Sequence, residues 1–156
     1  MLGFLRTTPD RRLEELKRLV LFAALSAREL QIVQGVLHER EYLPGEVIFD
    51  QGEAGNALYI VRTGRVLICR QGHPEQPIAE HEAGSFFGEL ALLDSGPRAA
   101  QARAVETSRV AVLFGSDFLS LLESESHLGN RILLQLARHL GRRLRGTLTG
   151  RSEGMP

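Results

Sequence analysis

Along the first forty positions, apolar residues recur at the three-and-four spacing of helices. Leu13, Leu16, Val20 and Leu21 follow a Thr8-Pro9-Asp10 start, which predicts a helix over Arg11 to Leu25. Ser26 and Glu29 then stand at capping-box spacing, opening a second helix to about His38 with Leu30, Val33 and Leu37 as its buried stripe. From Glu41 the texture changes to short apolar runs between turn residues. Val47 to Phe49, Leu58 to Val61, Arg65 to Cys69, Ile78 to Glu82, Gln101 to Val105 and Arg109 to Leu113 read as strands. Leu43 to Glu46, Asp50 to Asn56, Thr63-Gly64, Gly72 to Pro77 and Ala83-Gly84 separate them as turns and loops. Strands this short and closely punctuated predict an antiparallel sandwich or jelly roll.

The helical period returns after Phe114. Ser116 is placed to cap a helix through Leu122, and Leu128 to Arg145 reads as one long helix. Its apolar stripe is Leu133, Leu136, Ala137, Leu140 and Leu144, flanked by Arg131, Arg138, Arg142 and Arg145. That stripe has two readings: it folds back on the β body, or it pairs with a second copy in a parallel homodimer. The organisation expected is one domain: helices over residues 1–40, a β jelly roll over 41–114, helices over 115–146 and a flexible tail over 147–156.

Composition changes this picture little. A chain of 156 residues with 43% hydrophobic and 24% charged residues is a globular domain with room for a core. Its formal net charge is zero, so no overall basic field recruits nucleic acid, and direct DNA binding is not expected. Cys69 is the single cysteine and reads as a small buried hydrophobe in Val66-Leu67-Ile68-Cys69. No apolar stretch reaches membrane-spanning length and no signal-peptide pattern opens the chain, so a cytoplasmic location without membrane contact is expected. His73 reads as loop surface and His81 as a strand-face residue; no His-x-His metal set and no Ser-His-Asp or Cys-His set is apparent. The expectation is a binder with no cofactor, not an enzyme.

The candidate chemistry lies in residues 86–100, Phe-Phe-Gly-Glu-Leu-Ala-Leu-Leu-Asp-Ser-Gly-Pro-Arg-Ala-Ala. Gly88 permits close backbone approach, and Glu89 to Leu93 favours a short helix whose first N–H groups suit an anion. Asp94-Ser95-Gly96-Pro97 turns the chain back and delivers Arg98, a planar fork of donors for a phosphate. Glu89 would repel a phosphate, but makes sense as an acceptor for a sugar hydroxyl while bracing Arg98.

This segment resembles the phosphate-binding cassette of cyclic nucleotide-binding domains, the sensors of cAMP and cGMP, of the type in the bacterial catabolite activator and protein kinase A regulatory subunits. Phe87 to Ala100 matches the family pattern without a gap, and Gly45, Gly52, Gly64 and Gly84 fall at the family's turn glycines. The resemblance implies a double-stranded β-helix with N-terminal helices, a short phosphate-binding helix and a long C-terminal helix. It implies ligand contacts at Gly88, Glu89, Leu90, Ala91, Arg98, Ala99 and Ala100. Arg98 and the N–H groups of Leu90, Ala91 and Ala99 would hold the cyclic phosphate; Gly88 and Glu89 would meet the ribose 2′-hydroxyl. Members preferring cGMP commonly carry Thr after the arginine; Ala99 favours cAMP. The family covers the base from its last helix, where this chain offers no aromatic residue, so a leucine or an arginine must serve.

Too few residues follow Arg145 for a helix-turn-helix, so the expectation is a cAMP sensor module without an effector domain of its own, signalling through the C-terminal helix to an unknown effector protein. The alternatives are a module of the same fold for another small anion or cyclic nucleotide, and a nonbinding interaction module.

Overall fold

The computed structural model describes residues 9–150. Thr8, the expected cap of the first helix, and residues 151–156 of the expected tail lie outside the described residues.

Pro9 opens α1 (Pro9–Lys17), but the helix stops well short of Leu25. The chain breaks at Arg18 and passes through a 3-10 turn at Val20–Phe22. The reason is in the residues: Leu19-Val20-Leu21-Phe22 is apolar on every side. The break buries Leu16, Leu21, Phe22 and Leu25 together and leaves only Val20 outward. α2 (Ala27–Val36) begins as expected, with Ser26 Oγ accepting from Glu29 N at 3.2 Å and Glu29 Oε1 accepting from Ser26 N at 2.9 Å.

Two four-stranded antiparallel sheets follow. One has the order β1-β8-β3-β6, from His38–Tyr42, Ser108–Phe114, Ala57–Thr63 and Phe86–Phe87. The other has the order β2-β7-β4-β5, from Val47–Phe49, Gln101–Ala104, Arg65–Arg70 and His73–Glu82. The jelly roll is therefore present, with two strands that the residue pattern does not announce, β1 (where the second helix is expected to run to His38) and β6, and one, β5, longer than expected. β1 is the polar segment His-Glu-Arg-Glu-Tyr at a sheet edge, and β5 begins within the expected loop, also at an edge. Edge position tolerates Pro74 and Pro77, which cannot donate to a ladder.

The continuous apolar run of β3 has a structural cause. Ala57, Tyr59 and Val61 face the core between the sheets, whereas Leu58 and Ile60 face the helices. β8 divides in the same way, with Val110 and Val112 on one side and Ala111 and Leu113 on the other. This sheet is thus covered on both faces, and alternation disappears. Cys69 is buried beside Gln101, and burial pushes its thiol above the usual range.

Beyond β8, α4 spans Gly115–Ser124 without a side-chain cap, and Ser116 sits inside its first turn. α5 spans Ser126–Leu148, one turn further than Arg145. Its buried stripe is Leu128, Ile132 and Leu136, packed with Leu21, Phe22 and Phe118. Only Leu136 of the expected stripe is buried; Leu133 and Leu144 face outward. No helix among the described residues is long and apolar enough to cross a membrane.

Candidate anion-binding site

Between β6 and β7 lies α3 (Glu89–Asp94), entered through Gly88 at φ 82° and left through Ser95 at φ 56°. The chain then returns along the loop of residues 50–56. Arg98 N donates to Glu53 O at 2.8 Å, Gly52 N to Arg98 O at 2.8 Å, and Ala54 bridges Pro97. Asp50 anchors that loop by accepting from Gln101 Nε2 at 2.8 Å and Gln71 Nε2 at 3.0 Å, bonds that hold its carboxyl below the usual range.

The return places Arg98 inside the protein, 6% exposed. Its Nη2 donates to Ala57 O at 3.0 Å and its Nη1 to Gly88 O at 3.2 Å. The guanidinium carbon lies 4.2 Å from the Phe49 ring centre and 5.5 Å from that of Tyr59. Nε is buried without an acceptor, and no carboxylate among the described residues forms an ion pair with the side chain. Burial disfavours the charged form, but a guanidinium stays protonated. The site therefore holds a buried positive charge with no carboxylate in ion-pair contact, only the more distant Glu53 and Glu89 favouring it, and an anion in contact would complete it.

Close approach is built in. A Cβ on Gly55 would stand 2.6 Å from Arg98 Nε, and one on Gly88 would stand 2.7 Å from Nη1. Gly88 leaves room for the guanidinium, and Gly55 for both the guanidinium and the Ala91 methyl.

A cavity of about 310 Å³ opens over this arginine, near the lower end of small-ligand pockets. All seven sequence-derived residues, Gly88, Glu89, Leu90, Ala91, Arg98, Ala99 and Ala100, border it. One expectation is corrected. Glu89 is buried, but it does not brace Arg98; its Oε1 accepts from Arg143 Nη1 of α5, with His139 Nε2 at 3.8 Å. α5 thus borders the cavity through those two side chains, which meet the cassette at Glu89.

Three lining residues have no signal in the local sequence: His81 on β5, and His139 and Arg143 on α5. His81 lies 5.4 Å from the Phe87 ring, and its Nε2 is buried without a partner. His139 lies 4.6 Å from the Phe86 ring. Burial lowers both imidazoles below the usual 6.5, while the Glu89 carboxylate opposes the shift. A depressed folded-state value means that the unfolded chain binds more protons, so stability falls as pH drops below about 6.5. His81→Leu is expected to flatten that loss: between pH 7.5 and 5.5 its melting temperature should move less than that of the parent. An unchanged pH dependence would show that His81 contributes nothing to it.

A family profile described as cyclic nucleotide-binding domain matches residues 39–125. The cyclic AMP receptor protein of Thermus thermophilus is 37% identical over 122 residues, 77% of this chain and 56% of that protein. A cAMP-dependent protein kinase regulatory subunit of Pyricularia oryzae is 34% identical over 118 residues, 74% of this chain and 30% of that protein. The crystal structure of the Thermus thermophilus catabolite activator protein superposes with a TM-score of 0.74 at 34% identity, covering 84% of this chain and 61% of that one. The chain thus spans little more than half of the first relative and less of the second.

Proposed function

Because the chain belongs to the cyclic nucleotide-binding domain family, we propose that it is a cAMP-binding sensor module and not an enzyme. The observation that carries the proposal is Arg98: a buried guanidinium with no carboxylate in contact, beneath a cavity beside the start of α3. The cyclic phosphate supplies that contact. Arg98 donates to it, with the N–H groups of Leu90, Ala91 and Ala99; Gly88 and Glu89 receive the ribose 2′-hydroxyl. Ala99 offers no hydroxyl to a guanine, which favours adenine.

The link to α5 runs through Glu89. One of its oxygens is already held by Arg143, so ribose and helix meet on a single carboxylate. Arg143 and His139, with no leucine between them and the cavity, are the residues of α5 that would cover the base. Ligand then changes the position of α5 to the extent that it binds one arrangement of that helix more tightly than another.

Titration calorimetry with cAMP, cGMP and 5′-AMP tests the reading. cAMP is expected to bind in the micromolar range, about −8 kcal/mol, and the other two more weakly. Equal affinity for 5′-AMP would remove the cyclic-phosphate assignment, and no heat or thermal shift at millimolar cAMP would remove the ligand altogether.

A further inference from the structure

Away from the cassette, a cavity of about 930 Å³ opens between α1 and the sheet β1-β8-β3-β6. Nothing in the cyclic nucleotide reading uses it. Arg11 and Arg12 of α1, Arg18 just beyond it, Arg62 of β3 and Arg109 of β8 border the space. Two carboxylates stand among them, and both turn to Arg62: Glu39 at 3.0 Å and Glu15 at 3.9 Å. Arg11, Arg12, Arg18 and Arg109 are exposed and form no ion pair among the described residues. Five guanidiniums against two carboxylates leave a net +3 in one groove of a chain whose formal charge is zero. A concentration of one sign in a concave site raises the local potential and attracts anions.

The floor of the groove differs from its rim. Leu19 and Leu37, both half-buried, supply its apolar side chains, while Ile60 and Val61 of β3 border it with their own side chains buried. Apolar side chains among charged ones are a combination found at protein interfaces. We infer that this groove binds an acidic, partly apolar segment of a partner protein. Arg62 shows in place how such a carboxylate is taken, with Nε and Nη2 donating to the two oxygens of Glu39 at 3.1 and 3.0 Å. The ends of this chain do not carry the complementary charge. Residues 1–8 contain no acidic residue, and residues 151–156 contain Glu153 alone, close to Arg151. A nucleic acid suits the groove less, because two glutamates stand within it and the chain as a whole has no basic field. The site is also placed to report on α5. Leu13 and Leu16 of α1 share one apolar core with Leu128, Ile132 and Leu136 of that helix.

Fluorescence anisotropy of a labelled short peptide of glutamates and leucines, titrated with the full chain, tests this. Binding is expected at low salt and to weaken as salt rises. Arg11→Glu combined with Arg109→Glu should weaken it more than about tenfold. Arg70→Glu, an exposed arginine of β4 in the other sheet, should change it less than about twofold. Calorimetric cAMP binding by each variant confirms that it is folded and is read separately, so loss of the groove and loss of the nucleotide site are told apart. Absence of peptide binding at low salt overturns the proposal, as does equal loss in the Arg70→Glu control. Tighter binding of a single-stranded RNA through the same arginines would transfer the site to nucleic acid. Equal affinity for a glutamate–serine peptide would remove the role of Leu19 and Leu37 and overturn the partly apolar character of the proposed segment.

Discussion

Arg98→Met is expected to weaken cAMP binding by at least a hundredfold while moving the ligand-free melting temperature by only a few degrees. Two charge-assisted hydrogen bonds to a phosphate contribute about 3 kcal/mol at the low end, and each factor of ten is about 1.4 kcal/mol. The small effect on stability follows from the same burial. Methionine forfeits the bonds to Ala57 O and Gly88 O, but it also ends the desolvation of an unpaired charge. Arg98→Lys keeps the charge without the fork and should fall between the two. Calorimetry and thermal melts read both quantities. An Arg98→Met variant that binds cAMP like the parent would end the clamp assignment.

The second large effect concerns stability. Glu89→Leu should destabilise the ligand-free protein by about 3 kcal/mol, because it strands Arg143 against the cassette without its partner. For a domain of this size that is roughly a 6–10 °C drop in melting temperature. Arg143→Met should cost at least as much, since it strands the more deeply buried Glu89 carboxylate and burial disfavours the charged form of the nearby His139. Combining the two should recover most of the loss, giving a coupling energy well above the few tenths expected of independent sites. Urea unfolding of the four proteins measures the cycle. Strictly additive losses would show that the Glu89–Arg143 contact does not hold α5 down. The functional readout separates the two side chains further: Glu89→Leu should also lose the ribose contact, whereas Arg143→Met should retain it.

The cassette was legible from sequence because it is local. Phe87 to Ala100 is contiguous, and turn chemistry alone predicts that Arg98 returns toward Gly88. The partners of Glu89 were not legible, because they lie some fifty residues further along a helix whose facing is set by packing. The repeated leucines pointed to Leu133 and Leu144 along with Leu136, yet the core takes Leu128, Ile132 and Leu136, and that rotation is what turns His139 and Arg143 toward the cavity. The β body was readable where one face is buried and obscure where neither is. His38–Tyr42 has four exposed positions of five, so no alternation marks it as a strand. The first helix failed for the opposite reason: Leu19 to Phe22 is apolar all round, and a helix presents one stripe, not four.

On the proposed reading, the grip on the anion and the cover over the base rest on different parts of the roll. Arg98 leans on the carbonyl of Ala57, in a central strand packed on both sides, whereas His81 comes from the outermost strand of the opposite sheet and His139 and Arg143 from a helix that borders the cavity. The cover over the base can therefore be varied, by selection or by design, at His81 and His139 without touching the strand carbonyl that seats the arginine, whereas a change at Arg143 must also answer for Glu89. Descendants of such a fold can diverge in what they sense while inheriting how tightly they hold it.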